Sequence, residues 1–298
     1  LAAYAPIKNL ARINAEIQRA WTSIERLFHL LDEKTSAPKR RKPSFPGLKT
    51  SIRLEGVGFR YPGTRSWALQ GLDLEVMKGA RTALVGPSGC GKSTLARLLL
   101  RLHDPAEGRM LLDETDAREY DAASIRARAG LVTSEASLFN DTVFQNVALG
   151  LKGATLSEVE NACKSVGAHA FIEALPEGYQ TLLGEWGFSL SAGQRQKIAL
   201  ARVLLKNPEL VVLDEATAHL DGPAEKDVRA ALEPVLAGRT VVTITHELRA
   251  VSAADAVAVI SGGRVVERGT HAELLRAQGL YRRLFDLEAA TLPAAERP

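Results

Sequence analysis

The sequence is poor in cysteine, has no long apolar run and carries almost no charge imbalance, and each shortage removes a class of protein. Two cysteines, Cys90 and Cys163, cannot build a disulfide framework and suit a reducing compartment. No uninterrupted apolar run reaches the roughly 18 residues that a spanning helix needs, so this chain by itself is not expected to cross a membrane. No basic segment followed by an apolar stretch opens the chain, so no signal peptide is read. Lys and Arg total 38 against 35 Asp and Glu, and a net charge of +3 gives no reason to expect a nucleic acid partner. The remainder is ordinary globular material: 298 residues, 46% hydrophobic and 24% charged. At about 100–200 residues per domain, that makes one large domain or two modest ones. The first residue is Leu1, not Met, and we expect the natural chain to continue upstream.

From Leu1 to Asp32 the pattern is helical. Ile13, Ile17, Ile24, Leu27, Phe28 and Leu31 form one apolar stripe, with Arg12, Glu16, Arg19, Glu25 and Arg26 on the other faces. Pro6 is tolerated near a helix start or marks a kink. The stripe either packs on the domain that comes after it or is the tail of a domain upstream. Glu33 to Gly47 holds Pro38, Pro43, Pro46 and the run Lys39-Arg40-Arg41-Lys42, which reads as an extended linker. The basic run is a solvated linker face or, alternatively, an attraction to anionic lipid head groups.

After Thr50, short strands alternate with helical stretches. Ile52–Leu54, Val57–Phe59, Thr82–Val85, Leu210–Leu213 and Thr240–Ile244 read as strands, the last two as continuous apolar runs covered on both faces. Helical periods follow Lys92, Ser157, Ser191 and Pro223. The alternation indicates an α/β fold with a mainly parallel core, and Asp141 to Asn207 reads as a helical insertion.

The strongest motif is Gly86-Pro87-Ser88-Gly89-Cys90-Gly91-Lys92-Ser93-Thr94, which satisfies G-x-x-x-x-G-K-[ST] between a strand and a helix. Its glycines let successive N–H groups point inward as an anion nest, and the helix N-terminus adds partial positive charge. Lys92 then reaches β and γ phosphates, and the Ser93 hydroxyl coordinates Mg²⁺. Next, Leu210-Val211-Val212-Leu213 delivers two carboxylates: Asp214 to hold Mg²⁺ and Glu215 to act on an attacking water. Without the phosphate loop upstream, a strand-end turn would be the preferred explanation of that pair. Leu190-Ser191-Ala192-Gly193-Gln194 opens a helix and reads as a second anion site or as an ordinary N-cap. His246 ends the strand Thr240–Ile244, which would lie beside the one carrying Asp214; a lone His is also often structural.

In this order, these motifs resemble the nucleotide-binding domain of ABC transporters, and most closely bacterial exporters of the MsbA-like lipid A and multidrug type. Tyr4 to Leu10, Ile24 to Asp32, Leu138 to Val143 and Val266 to His271 carry the finer likeness. The resemblance implies a P-loop NTPase (RecA-like) α/β core with an N-terminal antiparallel β subdomain and an α-helical subdomain, preceded by a connecting helix. Residues 1–33 would be the cytoplasmic end of the last transmembrane helix, 34–49 a linker and 50–298 the domain, with its helical part at about 135–207. It further implies ATP and Mg²⁺ as cofactors and a head-to-tail dimer with a second such domain. An upstream transmembrane domain would place the chain at the cytoplasmic face of the bacterial inner membrane. Tyr61 would stack on adenine, though it also suits a core or turn aromatic. Ser191, Gly193 and Gln194 would contact the γ phosphate bound by the opposite subunit. Gly184-Glu185 would touch the membrane domain, and Asp221 would link the two sites.

Three departures stand out. Ser134 stands where the family carries a glutamine that senses Mg²⁺ and water, and a bridging water would be needed to span the difference. Ala192 replaces a signature glycine, which is mild if its φ is negative. Ala218-His219-Leu220-Asp221 replaces the usual Ser-Ala-Leu-Asp. Lys92, Ser93, Asp214, Glu215 and His246 remain complete, so the expected function is Mg-dependent ATP hydrolysis powering export or lipid flipping. The alternative is a degenerate, regulatory subunit of a heterodimeric exporter. A soluble DNA-repair ATPase would need a long coiled-coil or zinc insertion, and the sequence has neither. Cys90, inside the loop near a helix N-terminus, is expected to react with alkylating agents in competition with ATP, or else to be an inert filler.

Overall fold

The computed structural model describes residues 4–32, 42–184, 187, 189–218, 220, 222–245 and 251–291. It divides into two compact units, Leu1–Lys42 and Pro43–Pro298. The first contains α1, Tyr4–Leu31, a helix of 28 residues. Ile13, Ile17, Trp21, Ile24, Leu27, Phe28 and Leu31 are exposed along it. Among the described residues no helix is long and apolar enough to cross a membrane.

The second unit begins earlier than its composition suggests. Residues 43–49, read above as the end of a linker, belong to this unit: Phe45 and Leu48 are buried in its core. The Phe45 N–H donates to Ser124 Oγ at 2.8 Å and the Leu48 N–H to a Glu209 carboxylate oxygen at 2.7 Å. Proline and charge made the stretch look solvated, but two apolar side chains and two distant acceptors are enough to dock it.

Two sheets shape this unit. The smaller has the order β2-β1-β4-β5, all antiparallel. Its strands are β1 Ser51–Phe59, β2 Leu69–Met77, β4 Glu107–Leu112 and β5 Thr115–Asp116. The two short pieces expected around Gly56 are one strand with register shifts between Leu54, Val57 and Phe59. The larger sheet has the order β10-β9-β3-β8-β7-β6. Here β3 is Arg81–Val85, β6 Ala129–Thr133, β7 Leu210–Asp214, β8 Thr240–Ile244, β9 Ala256–Ser261 and β10 Arg264–Gly269. The five strands from β9 to β6 are parallel, and β10 closes the edge antiparallel to β9.

Both faces of the parallel sheet are covered, and side-chain alternation sorts each strand between them. In β7, Leu210 and Val212 join the cluster beneath the smaller sheet, whereas Val211 and Leu213 join the cluster of the helical region. In β3, Leu84 faces the first cluster, while Ala83 and Val85 face a third made with Leu274 and Tyr281. Those last two residues lie on α9, His271–Ala277, and α10, Leu280–Thr291. A helix α2, Lys92–Leu99, comes after β3, and a short α3, Ala122–Ala127, precedes β6.

Between β6 and β7 the described chain is helical: α4 Val143–Val147, α5 Leu156–Ser165, α6 His169–Glu173 and α7 Ala192–Lys206. Its only β pairing among the described residues outside named strands is the bridge Thr142–Leu182. The helix α8, Gly222–Leu236, then leads to β8. Leu200 of α7 is fully buried in the helical cluster. Leu200→Ala is expected to lower stability by about 2–5 kcal/mol, read as a lower denaturant midpoint at unchanged slope.

Candidate active site

The loop after β3 is shaped by its glycines. Gly86 has φ +152°, and a Cβ there would lie 2.1 Å from the Ile260 carbonyl oxygen. Gly91 has φ +108°, and a Cβ would lie 2.6 Å from the Ala68 carbonyl oxygen. Neither position admits a side chain. Gly91 is the N-cap of α2 and supplies no side-chain cap, so the first N–H groups of the helix are left to the loop. Pro87, Ser88 and Gly89 form the exposed rim, while Cys90 is buried beneath it. Lys92 is buried, and its ammonium donates to the carbonyls of Gly86 at 2.7 Å and Pro87 at 3.0 Å. A buried cation held by neutral acceptors at a helix N-terminus favours a polyanion.

The acidic half comes from β7. Asp214 Oδ1 accepts a 3.3 Å hydrogen bond from the Ser93 hydroxyl, which joins the end of β7 to the start of α2. Burial raises the pKa of Asp214 and the neighbouring Glu215 charge adds to this, against the Ser93 hydrogen bond and the charges of Arg97 and Lys92. Glu215 has φ +53°, left-handed for a residue with a side chain. Its N–H donates to the Ile244 carbonyl at 2.9 Å, extending the β7–β8 pairing by one residue before the chain turns. A cavity of about 390 Å³ opens here, lined by Ser93, Thr133, Ser134, Glu135, Ser137, Asp214 and Glu215. Ser134 therefore lies on the same cavity wall as the two carboxylates.

Sequence reasoning missed Gln196. It is almost fully buried, and its side-chain amide donates to the Thr133 carbonyl at 2.8 Å and the Ala216 carbonyl at 2.7 Å. It thus ties the end of β6 to the turn after Glu215. The signal in the sequence was a glutamine placed on the same helical face as Leu200 and Val203.

The other expected site residues lie around this centre. The Tyr61 hydroxyl lies 3.1 Å from Thr94 Oγ1, against the helix that carries Lys92 and Ser93. Ser191 and Gln194 form a reciprocal capping box: Ser191 Oγ accepts from the Gln194 N–H, and Gln194 Oε1 accepts from the Ser191 N–H. The N-cap reading of Ser191 therefore holds in the isolated chain. Ala192 has no positive φ, and Gly193 sits close to Ala224 of α8. Neither Ser191, Gly193 nor Gln194 lines the cavity. His246, with Glu185, His219 and Asp221, lies outside the described residues.

Residues 69–218 match the sequence profile described as ABC transporter. The chain belongs to the ABC transporter family. It is 42% identical over 285 residues to an ATP-dependent lipid A-core flippase of Chromohalobacter salexigens, covering 95% of this chain and 49% of that protein. It is 39% identical over 290 residues to an ATM1-type heavy metal exporter of Novosphingobium aromaticivorans, covering 96% of this chain and 47% of that one. A solved bacterial Atm1-family ABC exporter with ATP bound superposes with a TM-score of 0.81 at 39% identity, covering 92% of this chain and 48% of that structure. The chain thus spans about half the length of the relatives it matches. The expected α/β P-loop fold is the fold observed.

The geometry leads to two testable outcomes. Cys163 is fully buried, and burial pushes its thiol up to about 11, whereas Cys90 Sγ lies in the loop 3.8 Å from the Lys92 ammonium. Iodoacetamide at neutral pH is expected to label Cys90 first, and ATP is expected to slow that labelling; mass spectrometry of the two thiol peptides reads both. Second, because the pKa of Asp214 is raised by folding, its stabilising share is present at low pH and lost as pH rises through the folded value. In EDTA at neutral pH, Asp214→Asn is therefore expected to melt above the parent. The gap should close near pH 4, about where a free Asp takes up its proton.

Proposed function

We propose that the chain is the ATP-hydrolysing motor domain of a bacterial ABC exporter. The observation that carries the reading is the joining of two half-sites. The glycine-shaped loop with buried Lys92 meets Asp214 and Glu215 through the Ser93–Asp214 hydrogen bond. Phosphates would rest on the N–H groups of residues 88–93 with Lys92 across them. The Ser93 hydroxyl and the Asp214 carboxylate are hard oxygen donors that suit Mg²⁺, with Ser134 on the same cavity wall. Such an ion would neutralise phosphate charge. Glu215 is placed to take a proton from the attacking water, and His246 is assigned to hold water and γ phosphate in line. Tyr61, beside α2, is assigned to the adenine ring.

Ser191, Gly193 and Gln194 are set apart from the cavity, which fits their serving a nucleotide on a second copy packed head to tail. The relatives are about twice as long, and α1 would continue an upstream transmembrane domain, placing the motor at the cytoplasmic face of the inner membrane. The relatives range from a lipid A-core flippase to a heavy metal exporter, so the cargo, a lipid or another exported substrate, would be set by that membrane domain. The degenerate, regulatory alternative is not favoured, because Lys92, Ser93, Asp214 and Glu215 are all in place.

The test is Mg-ATP hydrolysis by the purified chain across a wide range of protein concentration. Turnover per chain is expected to rise with concentration. Glu215→Gln is expected to lower it by at least about 10²-fold while leaving ATP binding intact. Undiminished turnover in that variant removes Glu215 from its role.

A further inference from the structure

We propose that Arg97 is a positioning residue for nucleotide-base recognition, fixing the ring of Tyr61 from the same helix that holds the phosphates. The proposal rests on the reading of Tyr61 as the adenine platform. Arg97 Nη1 donates to the Tyr61 hydroxyl at 2.6 Å, and that hydroxyl also lies 3.1 Å from Thr94 Oγ1. Thr94 and Arg97 are three residues apart on α2 and so share one face. The ring is flanked by two further rings at nearly right angles to it, Phe59 at 5.1 Å and His103 at 5.8 Å between centroids.

A purine stacks on phenylalanine about as well as on tyrosine, so stacking alone does not need the hydroxyl. Both of its bonds go to α2, whose first residues, Lys92 and Ser93, belong to the phosphate site. The hydroxyl therefore keys the plane of the half-buried Tyr61 ring to the position of the phosphate loop. A ring whose plane is set before the base arrives loses less freedom on binding. Arg97 acts through Tyr61 in this arrangement.

The experiment compares the affinity of the full chain for ATP with its affinity for inorganic tripolyphosphate, which has phosphates but no base. Tyr61→Ala is expected to weaken ATP by about tenfold, the order of one stacked base, and to leave tripolyphosphate unchanged. Tyr61→Phe and Arg97→Ala are each expected to weaken ATP by about three- to fivefold while leaving tripolyphosphate unchanged. The double variant is expected to be no worse than either single one, because Arg97 has nothing left to hold. Equal loss of ATP and tripolyphosphate in Arg97→Ala would place Arg97 on the phosphates and overturn the proposal. Unchanged ATP affinity in both Tyr61→Phe and Arg97→Ala, with Tyr61→Ala still impaired, would also overturn it and leave the platform standing. If Tyr61→Ala itself binds ATP normally, the adenine reading falls and the proposal with it. Should Arg97→Ala not fold, Tyr61→Phe carries the same test.

Discussion

Parallel pairing among β3, β8, β7 and β6 is the constraint on which the rest depends. Leu84 pairs with Ile244, Ile244 with Asp214, and Asp214 with Thr133, so four strands end level with one another. The residues just beyond the strands are thereby gathered on a single edge: the glycine loop, Thr245, Glu215 and Ser134. Ligands collect at the carboxyl ends of such sheets because the loops there are free to diverge while the strands stay in register. That register holds only because both faces are buried, and an apolar run such as Leu210–Leu213 is what burial on both faces requires.

Much of this was legible in the sequence because its causes are local. The G-x-x-x-x-G-K-S spacing, the run ending in Asp214 and the helical period after Ser191 each occupy fewer than about twenty residues, within reach of periodicity arguments. The features that escaped depend on distant partners or on backbone angles. Phe45 and Leu48 are docked by acceptors 79 and 161 residues away, which no local pattern of proline and charge reveals. β1 looked like two fragments because Gly56 and its neighbours break the alternation, although the pairing with β2 and β4 resumes in shifted register beyond the irregularity. Nothing in the identity of Glu215 announces a left-handed backbone, since that angle is imposed by the Ile244 carbonyl and the turn beyond it. Gln196 was visible only as a polar residue on an apolar face.

The site is also where the fold is least at ease. Asp214 is half-buried with a raised pKa, Lys92 is buried on neutral carbonyls, and Glu215 occupies a conformation that costs about 1–3 kcal/mol. A polyanion with a divalent cation would add partners for these charges, and binding it would stabilise the fold by mass action. The three clusters of fully buried Leu, Ile and Val residues around the sheet supply the stability that makes this tolerable.

The Gln196 amide has a mechanical meaning. It grips the carbonyls of Thr133, the last residue of β6, and of Ala216, two residues beyond β7, yet it sits only five residues, about 7–8 Å along the axis, from Ser191 at the tip of α7. A slide of α7 along the sheet would break both bonds at once and strand a buried amide. The helix that opens at Ser191 is therefore tied through Gln196 to the ends of two strands at the cavity, and it cannot shift along its axis while Thr133 and Ala216 stay in place unless those bonds break.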